Sequence, residues 1–216
     1  MSDETISVLV VDDDADLLET IPVLLEASGR LRLAGVAACA ATALAMSAEV
    51  DPDVVLADVR MPGTDGIGLT RALTGGDRES RPKVIVVTAF ALDHYLLAAI
   101  GGGASGFLPK GLPWEQIEQA VIDVHHGGTA LPPQLARRAV GLSLTGHPGL
   151  GSLSDRELEV LAFVGAGLSP KEIAAALHVT EGTTKVHLEH LRSKLDATNQ
   201  VQLAIIALRA GLTPPS

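Results

Sequence analysis

The chain has 216 residues, 47% of them apolar, and a formal net charge of −10. That is enough apolar material to pack one large domain or two small ones, which excludes a globally disordered chain. The charge is unevenly divided: residues 1–126 hold eight basic and nineteen acidic groups, net −11, whereas 127–216 hold eight and seven, net +1. The two parts are therefore suited to different partners, a difference that the average hides. No apolar run approaches the ~20 residues of a membrane-spanning helix, and the acidic start MSDETIS is unlike a secretory leader. The lone Cys39 has no internal disulfide partner. A reducing, cytoplasmic compartment without a membrane partner is expected.

The first part alternates strand-like and helix-like segments. ISVLVV (6–11), DVVLA (53–57) and KVIVVT (83–88) are short β-branched runs, with weaker ones at LRLAGVA (31–37) and SGFLP (105–109). Helical patterns lie near 15–28, 40–49, 66–75, 91–102 and 114–126, and Pro22 predicts a kink in the first. Runs without alternation imply burial on both faces, so five strand–helix repeats predict a doubly wound parallel sheet. Residues 127–152 are rich in Gly, Pro and Ser and form the candidate linker, within which ARRAV suggests a short helix.

The remainder, 153–216, reads as a small all-α domain. Ser154 with Glu157 forms one capping box, stapled by Leu153 and Leu158. Ser169, Pro170 and Glu172 repeat the device, with Leu168 and Ile173 as staple. Thr180 starts a third helix and a fourth covers about 200–211. The close starts at Ser169 and Thr180 have the spacing of a helix-turn-helix, whose second helix enters the major groove of double-stranded DNA, and the helix pattern alone fits an ordinary three- or four-helix domain that binds protein equally well. In that helix Thr184, Leu188, Leu191 and Leu195 should face the core. Gly182, Lys185, Val186, Glu189 and Arg192 should face outward, with Val186 and Lys185 suited to base edges. His187 and His190 are three apart but lack companion metal ligands. No CxxC pair, P-loop, GxSxG elbow or HExxH segment occurs.

In an open parallel sheet, ligands bind beyond the carboxyl ends of the strands. Those ends carry Asp12, Asp13 and Asp14, then Asp58, Thr88 and Lys110. Mg²⁺ offsets the repulsion in such an acidic cluster and bridges to phosphate. A phosphoryl group on one carboxylate would meet the metal on one side and Lys110 on the other, with Thr88 donating a hydrogen bond. Asp14 reads better as a helix cap than as a ligand.

The segments VLVVDDDADLL, DVVLADVRMPGTDG, VIVVTAF and GASGFLPKG resemble, in order and spacing, the receiver domain of bacterial two-component response regulators. The resemblance implies strand order 2-1-3-4-5 over a domain of residues 1–126. It also implies phosphorylation of Asp58 by a histidine kinase, and Mg²⁺ held by Asp12, Asp13, Asp58 and the backbone carbonyl of Arg60. Thr88 and Phe107 match the switch residues, and Lys110 the phosphate-binding lysine. Arg60 and Phe90, each two residues past a site residue, are expected to crowd the approach of hydrolytic water. The three glycines of IGGGASGF exceed the family's usual number, so the fourth helix is expected to end early or to be loose.

RELEVL, the G-S-KEIA core, TEGTTKVH and RSKL resemble the LuxR-type DNA-binding domain, which with a receiver makes the NarL/FixJ class. By that resemblance Lys185, Val186 and Glu189 are base-reading positions, and Lys171, Thr180 and Thr183 phosphate contacts, beside the outward Arg192. Glu189 departs from the lysine or asparagine often found there. The resulting expectation is a transcription regulator, not an enzyme beyond the receiver's own phosphorylation and dephosphorylation. It is expected to bind DNA as a homodimer through the Leu203, Ile206 and Ala210 stripe of its last helix, with Val201, Ile205 and Leu208 facing the domain's own core. The rivals are a phosphorylation-independent DNA-binding regulator that uses the receiver only to dimerise, and a Mg²⁺-dependent phosphatase-like enzyme.

Overall fold

The computed structural model describes residues 5–75, 81–89, 93–142 and 148–214. Five parallel strands, β1 (Ile6–Val11), β2 (Leu31–Ala37), β3 (Val54–Asp58), β4 (Lys83–Thr88) and β5 (Gly106–Pro109), form one sheet in the order β2-β1-β3-β4-β5. The strand runs do not alternate because both faces are covered. Leu9, Val11, Val55, Val86 and Phe107 pack on one side, and Val8, Val10, Leu56, Ile85 and Leu108 on the other. Helices α2 (Ala40–Val50), α3 (Gly66–Thr74) and α4 (Asp93–Gly101) cover the first side, and α1 (Ala15–Ser28) and α5 (Trp114–His125) the second. Helix α1 runs on through Pro22. Helix α4 stops at Gly101, and the turn closes with Gly103 at φ 96°.

The segment read as linker is built onto the sheet. Ala130 bridges β5, its carbonyl accepting from Phe107 N at 2.7 Å. Helix α6 (Pro133–Leu142) buries Leu135 and Ala139 in the same cluster as α4. A short 3₁₀ turn, 148–152, leads into α7 (Asp155–Gly165), α8 (Pro170–Ala176), α9 (Glu181–Lys194) and α10 (Gln200–Arg209). Both expected capping boxes form, at Ser154/Glu157 and at Ser169/Glu172. Thr180 caps α9 by accepting from Thr183 N at 3.2 Å.

Two readings of the C-terminal helices are corrected. Leu203 and Ile206 lie in their own domain's core, whereas Val201 and Ile205 join the cluster under the sheet with Leu135 and Ile100. Both stripes of α10 are apolar, so periodicity alone does not tell which one stays at home. Arg192, expected outward, is half-buried between the two parts, where its charge acts on Lys83 at the start of β4. The parts are also tied by hydrogen bonds: Asn199 Nδ2 and Gln202 Nε2 each donate to the Ile100 carbonyl, at 3.1 Å.

Glu157 does more than close its box. It is 5% exposed and accepts from Lys194 Nζ at 2.8 Å as well as from Ser154 N at 2.8 Å. Lys194, then the Ser154 backbone, hold its carboxyl at about 2, down from an ordinary 4.5. A depressed carboxyl contributes stability above its unfolded pKa, and loses it as pH falls through the folded value. Glu157→Gln is therefore expected to cost about 1–2 kcal/mol at pH 7. Urea denaturation should show that gap closing between pH 4.5 and about 2.

Candidate functional site

At the carboxyl edge of the sheet, β1 delivers Asp12 and Asp13, β3 ends on Asp58, β4 on Thr88, and Lys110 follows β5. The strand register fixes these positions, since Val11 pairs with Ala57, Asp58 with Val87, and Thr88 with Pro109. Lys110 Nζ lies 2.7 Å from Asp12 Oδ2 and 2.8 Å from Asp58 Oδ2. Asp12 and Asp58 are buried, at 3% and 7% exposure, and Thr88 is fully buried. Burial raises the Asp12 carboxyl above its ordinary value despite the opposing hydrogen bond from Lys110. Burial also works against charge on Lys110, but its hydrogen bonds with Asp12 and Asp58 outweigh that and hold it high.

Carboxylate oxygens of Asp12, Asp13 and Asp58 lie within 4.8 Å of one another. Asp58 Oδ1 is buried without a hydrogen-bond partner. This donor set, all oxygen and rich in negative charge, fits a hard divalent cation, and the orphaned oxygen faces the need that such an ion or a phosphoryl group meets. A cavity of about 590 Å³ opens over it, lined by Asp13, Asp58, Arg60, Met61, Ala89 and Lys110 among others. Asp14 caps α1, accepting from Asp16 N at 3.1 Å and Leu17 N at 3.4 Å. Phe107 is 1% exposed and packed in the sheet core beside Val86. Phe90 lies outside the described residues.

Two contributors escaped the sequence reading. Tyr95, the chain's one tyrosine, reaches the cavity from the first turns of α4. Its signal was its place seven residues beyond the end of β4, on the helix that follows. Gly66 starts α3 against β3, donating to the Val59 carbonyl at 3.0 Å, and a Cβ there would run into the Asp58 carbonyl. Its neighbour Asp65 caps α3 by accepting from Gly68 N at 2.7 Å.

In the second part, Lys171, Thr180, Thr183, Lys185, Val186 and Glu189 are exposed, and Thr184, Leu188, Leu191 and Leu195 are buried. Val186 is 48% exposed, which leaves an apolar group free on the outer face of α9. Lys185 Nζ pairs with Glu181 at 2.8 Å. The turn between α8 and α9 passes through His178 at φ 54°. Among the described residues, Asp12, Asp13 and Asp58 form the one group with metal-ligand geometry, and His187 and His190 are not part of it.

A doubly wound sheet with an acidic cluster and a lysine at its carboxyl edge, joined to a helix-turn-helix unit, defines a regulator with a receiver and a DNA-binding part. Residues 8–122 match the response regulator receiver domain, and residues 151–207 match the bacterial regulatory proteins of the luxR family. The chain is 35% identical to the transcriptional regulatory protein LnrK of Bacillus subtilis (strain 168), over 96% of this chain and 99% of that protein. It is 33% identical to the response regulator GacA of Pseudomonas aeruginosa, over 96% and 97%. The crystal structure of the response regulator ChrA, from a heme-sensing two-component system, aligns at a TM-score of 0.52 with 31% identity. That alignment covers 96% of this chain and 98% of ChrA. The protein belongs to the LuxR/NarL family of two-component response regulators. No helix among the described residues is long and apolar enough to cross a membrane.

The close packing at Gly66 generates a test. Gly66→Ala forces α3 away from β3 and should cost at least about 1–3 kcal/mol in urea denaturation. Gly63→Ala meets no neighbouring atom within 4 Å. It should cost only the backbone strain of a left-handed residue, roughly 1 kcal/mol.

Proposed function

We propose that the protein is a cytoplasmic transcription regulator switched by phosphorylation of Asp58, with a receiver over 1–126, a connecting segment over 127–152 and a DNA-binding domain over 153–216. The buried, unpartnered Oδ1 of Asp58 at the mouth of the cavity carries this reading. That oxygen accepts a phosphoryl group from the phosphohistidine of a partner histidine kinase. Asp12, Asp13, Asp58 and the Arg60 carbonyl hold Mg²⁺, which neutralises charge on the phosphoryl oxygens when bound. Lys110 pairs with the phosphoryl group from the opposite side, and Thr88 donates to it as it forms. Withdrawal of Thr88 toward the phosphoryl group opens space beside Phe107, which couples the site to α4.

The packed arrangement supports a role for release. Helix α9 borders a cavity of about 450 Å³ shared with Lys83, His125 and His126, and α10 buries Val201 and Ile205 against the first part. In this state Arg192 of α9 is half-buried against the first part, while Lys185, Val186 and Glu189 stay exposed. Once released, Val201, Ile205 and the 39% exposed Leu208 form the apolar face that pairs two copies on DNA. Lys185, Val186, Glu189 and Arg192 then read or approach base edges, and Lys171, Thr180 and Thr183 contact phosphates. A second copy matters because one domain of net charge near +1 holds DNA only weakly.

A small phosphodonor is expected to add the mass of one phosphate to the intact protein only when Mg²⁺ is present, and to nothing in Asp58→Asn. Analytical ultracentrifugation and footprinting of both forms should show the phosphorylated protein as a dimer protecting paired half-sites. Equal labelling of the variant removes the site assignment, and a labelled monomer protecting one half-site removes the dimer. Lys185→Ala should cost about 1–3 kcal/mol on the preferred sequence and relax one base pair. A loss that is uniform over all sequences would make Lys185 a phosphate contact.

A further inference from the structure

A second cavity, of about 220 Å³, lies between the two parts at the opposite end of the sheet from the acidic cluster. Lys83 at the start of β4 and Ser105 just before β5 form one wall; Arg192 of α9 and the turn Thr198–Gln200 form the other. Its lining includes three cations, Arg81, Lys83 and Arg192, and no carboxylate. Arg81 is committed to the Thr74 carbonyl at 2.9 Å. Among the described residues, the Lys83 and Arg192 side chains have no ion-pair or hydrogen-bond partner.

Two unpaired cations facing each other across an interface repel. Packing around Lys83, and then the charge of Arg192, hold its ammonium below the ordinary value. Burial lowers Arg192 too, against the pull of Glu189, which lines the neighbouring cavity rather than this one. The interface thus brings positive charge together without supplying the anion that would neutralise it.

Gln200 gives an independent sign of a missing group. It lines the cavity, is 8% exposed, and has both amide atoms, Oε1 and Nε2, buried without a partner. A buried amide left unpaired on both sides is costly, and native structures rarely tolerate it without a ligand or water. The occupant that answers these observations is small, anionic, and able both to accept and to donate a hydrogen bond. The volume falls below the ~300–1,000 Å³ typical of larger organic ligands.

We propose that this cavity binds hydrogen phosphate. Lys83 and Arg192 neutralise it, and the Gln200 amide, closed off in this state, turns toward it, Nε2 donating to one oxygen and Oε1 accepting from its P–OH. The bound anion then bridges the receiver to α9 and holds the two parts together. Since Arg192 belongs to the DNA-facing helix, phosphate and DNA oppose each other by reciprocal linkage. That coupling rests on the DNA-binding reading, whereas the binding itself does not.

The test is calorimetric titration of the full chain, unphosphorylated and without Mg²⁺, with inorganic phosphate and with sulfate at matched ionic strength. Sulfate has the charge but no proton to donate, so phosphate should bind roughly tenfold more tightly. Lys83→Gln should abolish saturable binding. Gln200→Leu should erase the preference over sulfate while leaving the phosphate-free protein at least as stable as the parent, because it removes an unpaired buried amide. Circular dichroism confirms that both variants fold. Equal affinity for the two anions, phosphate binding that survives Lys83→Gln, or no saturable binding at millimolar phosphate would each overturn the site. Separately, DNA affinity should fall with phosphate more than with sulfate in the parent but not in Lys83→Gln. Absence of that difference overturns the bridge to DNA, and the calorimetry alone judges the site.

Discussion

The Lys110 ammonium, wedged between the carboxylates of Asp12 and Asp58, is the contact on which the rest of the receiver depends. Two buried carboxylates repel, and one cation shared between them sets the charge balance of the whole edge. Holding that balance requires β1, β3 and β5 to end at fixed heights. The double-sided apolar packing of the strands supplies this rigidity. A metal ion or a phosphoryl group added to this edge changes the electrostatics that the packing was built around. The strand ends and α4, whose early turns carry Tyr95 to the same cavity, lie nearest to that edge.

The same sheet also explains how a distant helix becomes involved. Helix α4 touches the site at one end and the DNA-binding part at the other, where the Ile100 carbonyl receives the Asn199 and Gln202 amides. Beneath it, α6 and the Val201–Ile205 face of α10 fill one continuous apolar cluster with the sheet. Packed cores of this kind shift between discrete arrangements rather than deform smoothly. The surface that unites the two parts is thus built from the sheet cluster, α6 and one face of α10 together.

Much of this was legible in the sequence for a local reason. Strand ends, capping boxes and the helix-turn-helix spacing are encoded within a few residues, and Asp12, Asp58, Ser154 and Ser169 fall where local rules put them. What escaped was set by tertiary context. The two stripes of α10 are equally apolar, so the choice between Leu203 and Val201 as core residue depended on a neighbour far away in the chain. Arg192 looked like a solvent-facing recognition residue until the receiver covered it. Nothing in the sequence singled out Gly66, and only the approach of the Asp58 carbonyl shows why a side chain is excluded there.

The end of α4 has a consequence for how the molecule can be divided. Its sequence closes in Gly101, Gly102 and Gly103, and each glycine disfavours helix by roughly 1 kcal/mol relative to alanine. The last turn is closed by the N–H groups of Gly102, Gly103 and Ala104 and further secured by side-chain amides reaching across from residues 199 and 202. The receiver thus borrows part of one helix's termination from a domain encoded a hundred residues later. A fragment cut in the connecting segment is not simply the first half of the protein, since it leaves the Ile100 carbonyl with the Gly103 N–H but without the two amides that also donate to it.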